Sequence, residues 1–249
     1  MSATGVISFV GYCLAAYLLG SVPFGYLLGR LKGVDIRQEG SRNIGATNCW
    51  RVCGWRYGLP GFVLDVAKGF AATFVAATVL VRLPLMAGLS EASGHLLVIG
   101  AGAAVIAGHV FPIYLRFRGG KAVATSLGVF LGMPTMLLLG GVAFGLWVVV
   151  FLVTRYVSVA STAAALGLLA GALLVHPIFF TIDPAGAWKS RWPLSVFTIV
   201  LVGLVLYRHR ENYRRLLAGT ENKFGRKMKA AAGGRGASDE TNAADRTSK

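Results

Sequence analysis

The sequence is poor in charge, and poorest in acid. Charged residues fill 14% of its 249 positions, where an average soluble domain carries roughly 25%. Only ten are Asp or Glu, and they are scattered, so no carboxylate-rich metal site is indicated. Cysteine is scarce. Cys13 lies in an apolar run, and Cys49 and Cys53 stand four apart with no histidine near them. Zinc in a structural site takes four ligands, which excludes such a site here. A structural disulfide is not expected on a cytoplasmic face. The first apolar stretch has no basic leader and is too long for the core of a cleaved signal, so none is expected.

What is present is apolar. Hydrophobic residues make up 55% of the chain and mean hydropathy is +0.63. Long uncharged runs then read as an all-α polytopic membrane protein. Net charge is +15, from 25 Lys and Arg. Nucleic-acid binding is one source of so basic a chain. In a membrane protein, Lys- and Arg-rich cytoplasmic loops are the commoner source, and no nucleic-acid partner is expected.

Gly5 to about Leu28 is long enough to span, and Gly20, Pro23 and Gly25 interrupt it. A kink is expected there, with neighbouring helices satisfying the freed backbone groups. Leu59 to about Val81 is a second span, with Pro60 in its first turn. Asp65 and Lys68 lie inside it at i and i+3, on one face. Charges at that depth face the protein interior. They read either as a pair locking two helices or as support for an active-site loop. Leu96 to Leu115 is the third span, with His109 near its inner end, where a lone histidine commonly bonds a carbonyl. Val123 to Leu131 is apolar but short, and Thr135 to Val153 is of full length. Tyr156 to Val175 follows, broken softly by Ser158 and Ser161, then a polar outer loop from His176 to Pro193 and a last run from Leu194 to Tyr207. One domain over 1–224 and a disordered polar tail over 225–249 complete the reading.

Three polar patches interrupt these runs. The first, Gly40 to Arg51, offers Ser41, Asn43, Thr47, Asn48 and Arg51, with Gly40 and Gly45 permitting close backbone approach. Such a loop turns several N–H groups and a guanidinium fork toward one anion. Its plain alternative is a solvated basic connector. The second is Gly119-Gly120-Lys121, entering the short apolar run. It is not a P-loop, because Leu115 stands where the first glycine belongs. It still brings N–H groups and an ammonium to a helix start. The third runs from Arg208 to Asn222, with His209 and Asn212 on one helix face.

On this threading only Arg82, Lys189 and Arg191 of the basic residues lie outside. The N-terminus is therefore outside and the C-terminus inside. Seven crossings satisfy this if 123–131 crosses as a short helix, and five do if 123–153 is a re-entrant hairpin. About seven is the expectation. All three patches, with Thr154 and Arg155, fall on one membrane face. Transporters bind substrate near the midplane; one-sided polar chemistry suits an enzyme joining a soluble substrate to a lipid.

The chain closely resembles the bacterial acyl-phosphate-dependent glycerol-3-phosphate acyltransferases, the PlsY type, from about Gly20 to Glu221. The signatures are Gly40-Ser41-Arg42-Asn43-Ile44-Gly45-Ala46-Thr47-Asn48 with Arg51, then Gly108-His109 with Phe111-Pro112 and Gly119-Gly120-Lys121, then His209-Arg210 with Asn212. The resemblance implies seven helices in the bacterial inner membrane and an active site on the cytoplasmic face. It implies acyl transfer from acyl phosphate to the 1-hydroxyl of glycerol 3-phosphate, the first step of phospholipid synthesis. No cofactor is implied, and functional coupling to a soluble acyl-phosphate-forming enzyme is. Ser41, Arg51, Lys121, Thr154, Arg155, His209 and Asn212 would surround the phosphate-bearing substrates. The family usually has glycine where this chain has Arg42 and Ala122.

The well-known glycerolipid acyltransferases use a His and an Asp separated by four residues. None of His95, His109, His176 or His209 has Asp at that offset, so no dedicated carboxylate–histidine base is expected. The rival reading is a small transporter for phosphate or phosphorylated metabolites, drawing on the same basic mouth. The sidedness is directly testable. Cysteines at Arg42, Lys121 and Arg215 should be labelled only from the cytoplasm, and one at Lys189 only from outside. Labelling of position 121 from outside overturns the threading.

Overall fold

The structure is a computed structural model that describes residues 2–86, 90–175 and 184–225, and no strand occurs among them. Ten α-helices follow in order: α1 (Ala3–Ser21), α2 (Phe24–Leu31), α3 (Ala46–Cys53), α4 (Trp55–Thr78), α5 (Glu91–Val110), α6 (Val123–Leu131), α7 (Leu137–Thr154), α8 (Val157–Ala170), α9 (Pro184–Arg208) and α10 (Arg210–Leu217). Among the described residues, five helical stretches are long and apolar enough to cross a membrane. A sixth is added if α9 and α10, bent by 48°, count as one span. The nine-residue α6 is not among them. It measures about 13.5 Å, against a hydrocarbon thickness of about 30 Å.

The break expected in the first span is real. Pro23 separates α1 from α2, and Lys68 Nζ on α4 donates to the freed carbonyl of Val22 at 2.9 Å. Three expectations need correction. Pro60 lies in the second turn of α4, because the helix starts at Trp55 directly after left-handed Gly54. Pro193 does not end a loop: it sits inside α9, which begins at Pro184. Ser158 and Ser161 do not break α8, because both hydroxyls are hydrogen-bonded to side chains outside it. The remainder of the expected outer loop, 176–183, and the tail over 226–249 lie outside the described residues.

Close backbone approach fixes the central pair. A Cβ on Gly69 of α4 would strike the Thr125 carbonyl of α6, and one on Gly128 of α6 would strike the Val66 carbonyl of α4. In a bilayer this matters, since small residues and packing, not exclusion of water, hold helices together. Thr73 adds a hydrogen bond to the Val129 carbonyl at 2.9 Å. The core around them holds Val105, Val129, Phe130, Met133 and Met136.

Gly128→Val should destabilise the protein by about 1–3 kcal/mol through overpacking against backbone that cannot yield. Gly141→Ala, where an added Cβ meets nothing within 4 Å, should be close to neutral. Thermal unfolding in detergent checks both. Equal stability of the two variants would contradict this packing.

Candidate active site

The first patch is a loop built around one amide. Asn48 is 1% exposed. Its Oδ1 accepts from Ser41 N at 2.8 Å, and its Nδ2 donates to the carbonyls of Ile36, Asn43 and Glu39 at 2.8, 3.0 and 3.1 Å. All of its hydrogen-bonding capacity as donor goes to backbone, so Asn48 shapes the loop. Gly40 has φ +61°, and a Cβ there would strike Asn48 Oδ1. Asn43 Oδ1 accepts from Gly45 N at 2.9 Å, and Gly45 then opens α3 with no side-chain cap. The first N–H groups of α3 are left for another acceptor.

The two positions where the resemblance expects glycine are both left-handed: Arg42 has φ +59° and Ala122 has φ +58°. A Cβ costs about 1–2 kcal/mol in that region. Arg42 is exposed and does not line the cavity described below.

The second patch is held from beneath. Gly120 N donates to the His109 carbonyl at 3.1 Å. The expectation that the His109 ring bonds a carbonyl is corrected. Its Nδ1 faces Thr125 Oγ1 at 3.2 Å and Asp65 Oδ1 at 3.5 Å. Asp65 also pairs with Lys68 at 2.8 Å, both side chains buried. A histidine and a carboxylate do meet, therefore, across 44 positions of sequence (109 less 65).

The third patch closes over the second. Lys121 Nζ donates to Asn212 Oδ1. Asn212 Nδ2 donates to Glu221 Oε1 at 2.6 Å, which also accepts from Ser158 Oγ at 3.0 Å. Arg215 Nε donates to Glu221 Oε2 at 2.8 Å. Glu221 is thus a buried hub that the sequence reading did not assign. Its signal was an acid among few, at the end of the third patch. The His209 Nδ1–H donates to the Val205 carbonyl at 2.8 Å, leaving Nε2 as an acceptor.

A cavity of about 440 Å³ joins these groups. Ser41, Asn43, Gly45, Thr47, Asn48, Arg51, Asp65, His109, Lys121, His209 and Asn212 all line it. Its polar end continues into an apolar one lined by Phe130, Ala143, Phe144, Leu168 and Leu201. Trp147 and Phe151, stacked at 4.9 Å, form part of its wall, and Phe224 meets Phe151 edge-on at 5.3 Å. Gly40, Gly119 and Gly120 act through backbone and are not on the lining, and Lys68 stands behind Asp65. Thr154 and Arg155 are not brought in. The Thr154 hydroxyl donates to the Val150 carbonyl, and Arg155 is exposed. No group of three or more His, Cys, Asp or Glu suited to a metal occurs among the described residues.

Burial dominates the electrostatics. It pulls the Lys121 ammonium down to about 8, a shift that Glu221 opposes and Arg215 reinforces. Burial also lowers Arg51, with Glu221 again opposing. Burial and Cys53 together push the Cys49 thiol up to about 12. A half-desolvated cluster of cations with one counter-ion has the chemistry to take up an anion.

The fold and the site therefore define a polytopic helical membrane protein with a cationic cavity that opens into an apolar groove. Residues 10–219 match the family model for glycerol-3-phosphate acyltransferase. The glycerol-3-phosphate acyltransferase of Desulforudis audaxviator is 40% identical over 225 residues, covering 90% of this chain and 98% of the relative. That of Thermosynechococcus vestitus is 43% identical over 217 residues, covering 85% and 93%. The crystal structure of PlsY, an integral membrane glycerol 3-phosphate acyltransferase, in its glycerol 3-phosphate form superposes with a TM-score of 0.71 at 35% identity, covering 88% of this chain and 96% of that one. Its lysophosphatidic acid form gives 0.70. The chain belongs to the glycerol-3-phosphate acyltransferase family. It is an integral membrane acyltransferase, which sets aside the transporter alternative.

The depressed Lys121 sets a pH dependence. The ammonium is charged below about pH 8 and neutral above it. Binding of inorganic phosphate, measured by calorimetry, should weaken by up to about tenfold per pH unit as pH rises beyond that point. Lys121→Arg should remove the decline, and its persistence in that variant would assign it elsewhere.

Proposed function

We propose that the acyl donor is acyl phosphate and that transfer to the 1-hydroxyl of glycerol 3-phosphate is direct, releasing lysophosphatidic acid and inorganic phosphate. The observation that carries this reading is the single cavity running from a cationic end to an apolar end. Both substrates carry a phosphate, the donor's on the reacting carbon and the acceptor's two carbons from the reacting hydroxyl's carbon, and only the donor carries a long tail. Arg51 and Lys121 offset the repulsion between the phosphates, Arg by its fork and Lys as a compact charge. Ser41, Thr47 and the uncapped start of α3 supply donors around one of them. His209 and Asn212 orient the acceptor. The acyl tail lies between helices along Phe130, Ala143, Phe144 and Leu168.

In the transfer, the acceptor oxygen bonds to the acyl carbonyl carbon, and the bond from that carbon to the phosphate oxygen breaks. The departing phosphate takes the hydroxyl proton. The donor is already activated, so positioning and charge stabilisation suffice. A covalent route finds little support. Cys49 and Cys53 are buried away from the cavity, and the Cys49 thiol is held protonated. No hydrogen bond joins Ser41 to His209 among the described residues.

The same reading places the cavity mouth at the cytoplasmic face of a bacterial inner membrane, with the N-terminus outside. On this reading the nine-residue α6 is the short crossing of seven, a count that keeps the N-terminus outside and the C-terminus inside.

Purified protein given acyl phosphate and labelled glycerol 3-phosphate should yield lysophosphatidic acid. Robust transfer from acyl-CoA with none from acyl phosphate would sink the donor assignment. A variant with Cys13, Cys49 and Cys53 all changed to Ser should keep most activity. Arg51→Ala and Lys121→Ala should each lose about 2–5 kcal/mol of transition-state stabilisation, as expected when a buried charge pair loses one partner. An acylated peptide trapped after exposure to donor alone would move the assignment to a covalent route.

A further inference from the structure

Arg208, at the last turn of α9, has no carboxylate partner in any ion pair among the described residues. A half-buried cation without a counter-ion, beside a site already rich in cations, needs another reason to be there. Its Nη2 donates to the carbonyls of both Gly119 and Gly120, each at 2.9 Å.

Those two bonds fix two successive peptide planes. In a planar trans peptide a carbonyl and the following N–H point in opposite directions. With the Gly119 carbonyl turned to Arg208, the Gly120 N–H must point away, and it does: it donates to the His109 carbonyl at 3.1 Å. With the Gly120 carbonyl turned to Arg208, the Lys121 N–H must also point away from the guanidinium. That N–H has no partner among the described residues. The segment is thus gripped between α5 and α9, immediately before the residue whose ammonium meets Asn212 and lines the cavity. Neither glycine can take a side chain here. A Cβ on Gly119 would strike the His109 and Val110 carbonyls, and one on Gly120 would strike His109 Nε2.

We infer that Arg208 is a positioning residue of the acyl-transfer site, clasping the Gly119 and Gly120 carbonyls so that Lys121 is presented to the cavity. It acts through Lys121 and does not line the cavity itself. Its place in the chain adds to the effect. The residue after it is His209, so one helix end carries both the clasp and a cavity-lining ring. The second and third polar patches are thereby locked in register.

This inference rests on the activity proposed above, and the test separates the two. Wild-type protein in detergent is assayed with acyl phosphate and glycerol 3-phosphate beside Arg208→Met and Arg208→Lys, with thermal unfolding recorded for each. Arg208→Met keeps the stem and removes both bonds. A displacement of about 1 Å at a reacting group costs about a hundredfold, so kcat/KM should fall at least about tenfold per folded molecule. Arg208→Lys retains a donor able to reach two carbonyls, and its activity should stay within about threefold of wild type. Arg208→Met within twofold of wild type overturns the inference. So does Arg208→Lys as impaired as Arg208→Met, which would make the guanidinium fork a substrate ligand. A loss that follows only the folded fraction overturns it too. An inactive wild type would instead count against the proposed donor.

Discussion

The carboxylate of Asp65 is the constraint on which the site depends. It sits on α4 and is only 1% exposed, so its charge must be met by protein groups. Two groups stabilise it, Lys68 at 2.8 Å and His109 Nδ1 at 3.5 Å. Each belongs to a further structural task. Lys68 donates to the carbonyl freed at the α1–α2 break, and the His109 carbonyl holds the Gly120 N–H. Breaking a buried pair by removing one partner typically costs about 3–5 kcal/mol. Here the loss would reach the first span, the third span and the lysine-bearing loop together. The two readings the pair allowed, helix lock and loop support, turn out to be one arrangement.

The cavity above it is organised by a charge imbalance. Arg51, Lys121 and Arg215 stand near one another, and Glu221 is the carboxylate that faces them. Glu221 is hydrogen-bonded to Asn212, Ser158 and Arg215, so it neutralises part of the positive charge and ties α8 to α10. What charge remains is for the substrates to meet. A second acid in the cluster would cancel that remaining charge and weaken the attraction for any anion. The scarcity of acid in the whole sequence therefore has a local counterpart where it matters.

Much of this was legible in the chain, and the exceptions have physical causes. Span positions followed from apolar length, and the polar patches from their interruption of it. The Asp65–Lys68 pair followed from helical spacing. Arg42 and Ala122 stood out as non-glycine residues in glycine positions, and both prove left-handed. What the sequence could not show is contact at a distance. The Asp65–His109 approach joins α4 to α5, and a search for His and Asp at a fixed offset cannot find it. Asn48 looked like a ligand because amides in loops often are. Only coordinates reveal that its two side-chain atoms are occupied by four backbone groups. The start of α9 was hidden because Lys189, Arg191 and Pro193 read as loop, whereas a membrane helix tolerates an interior proline when neighbouring groups satisfy the freed backbone.

Packing and chemistry share the same residues. In a bilayer, helices gain little from excluding water, so close backbone approach and polar contacts must hold them. Gly69 directly follows Lys68, and it is where α4 meets the Thr125 carbonyl of α6. Thr125 in turn offers its hydroxyl to His109. Gly108 directly precedes His109, and it is where α5 meets the Tyr17 carbonyl of α1. The glycines set the distances within two pairs of helices, α4 with α6 and α5 with α1, and the adjacent polar residues are placed by those distances. A substitution at Gly69 or Gly108 would separate helices and, by the same movement, pull apart Asp65, His109 and Thr125. The precision of the site is therefore a property of the helix contacts, and the polar loop residues act on a frame whose spacing is decided one residue away from Lys68 and from His109.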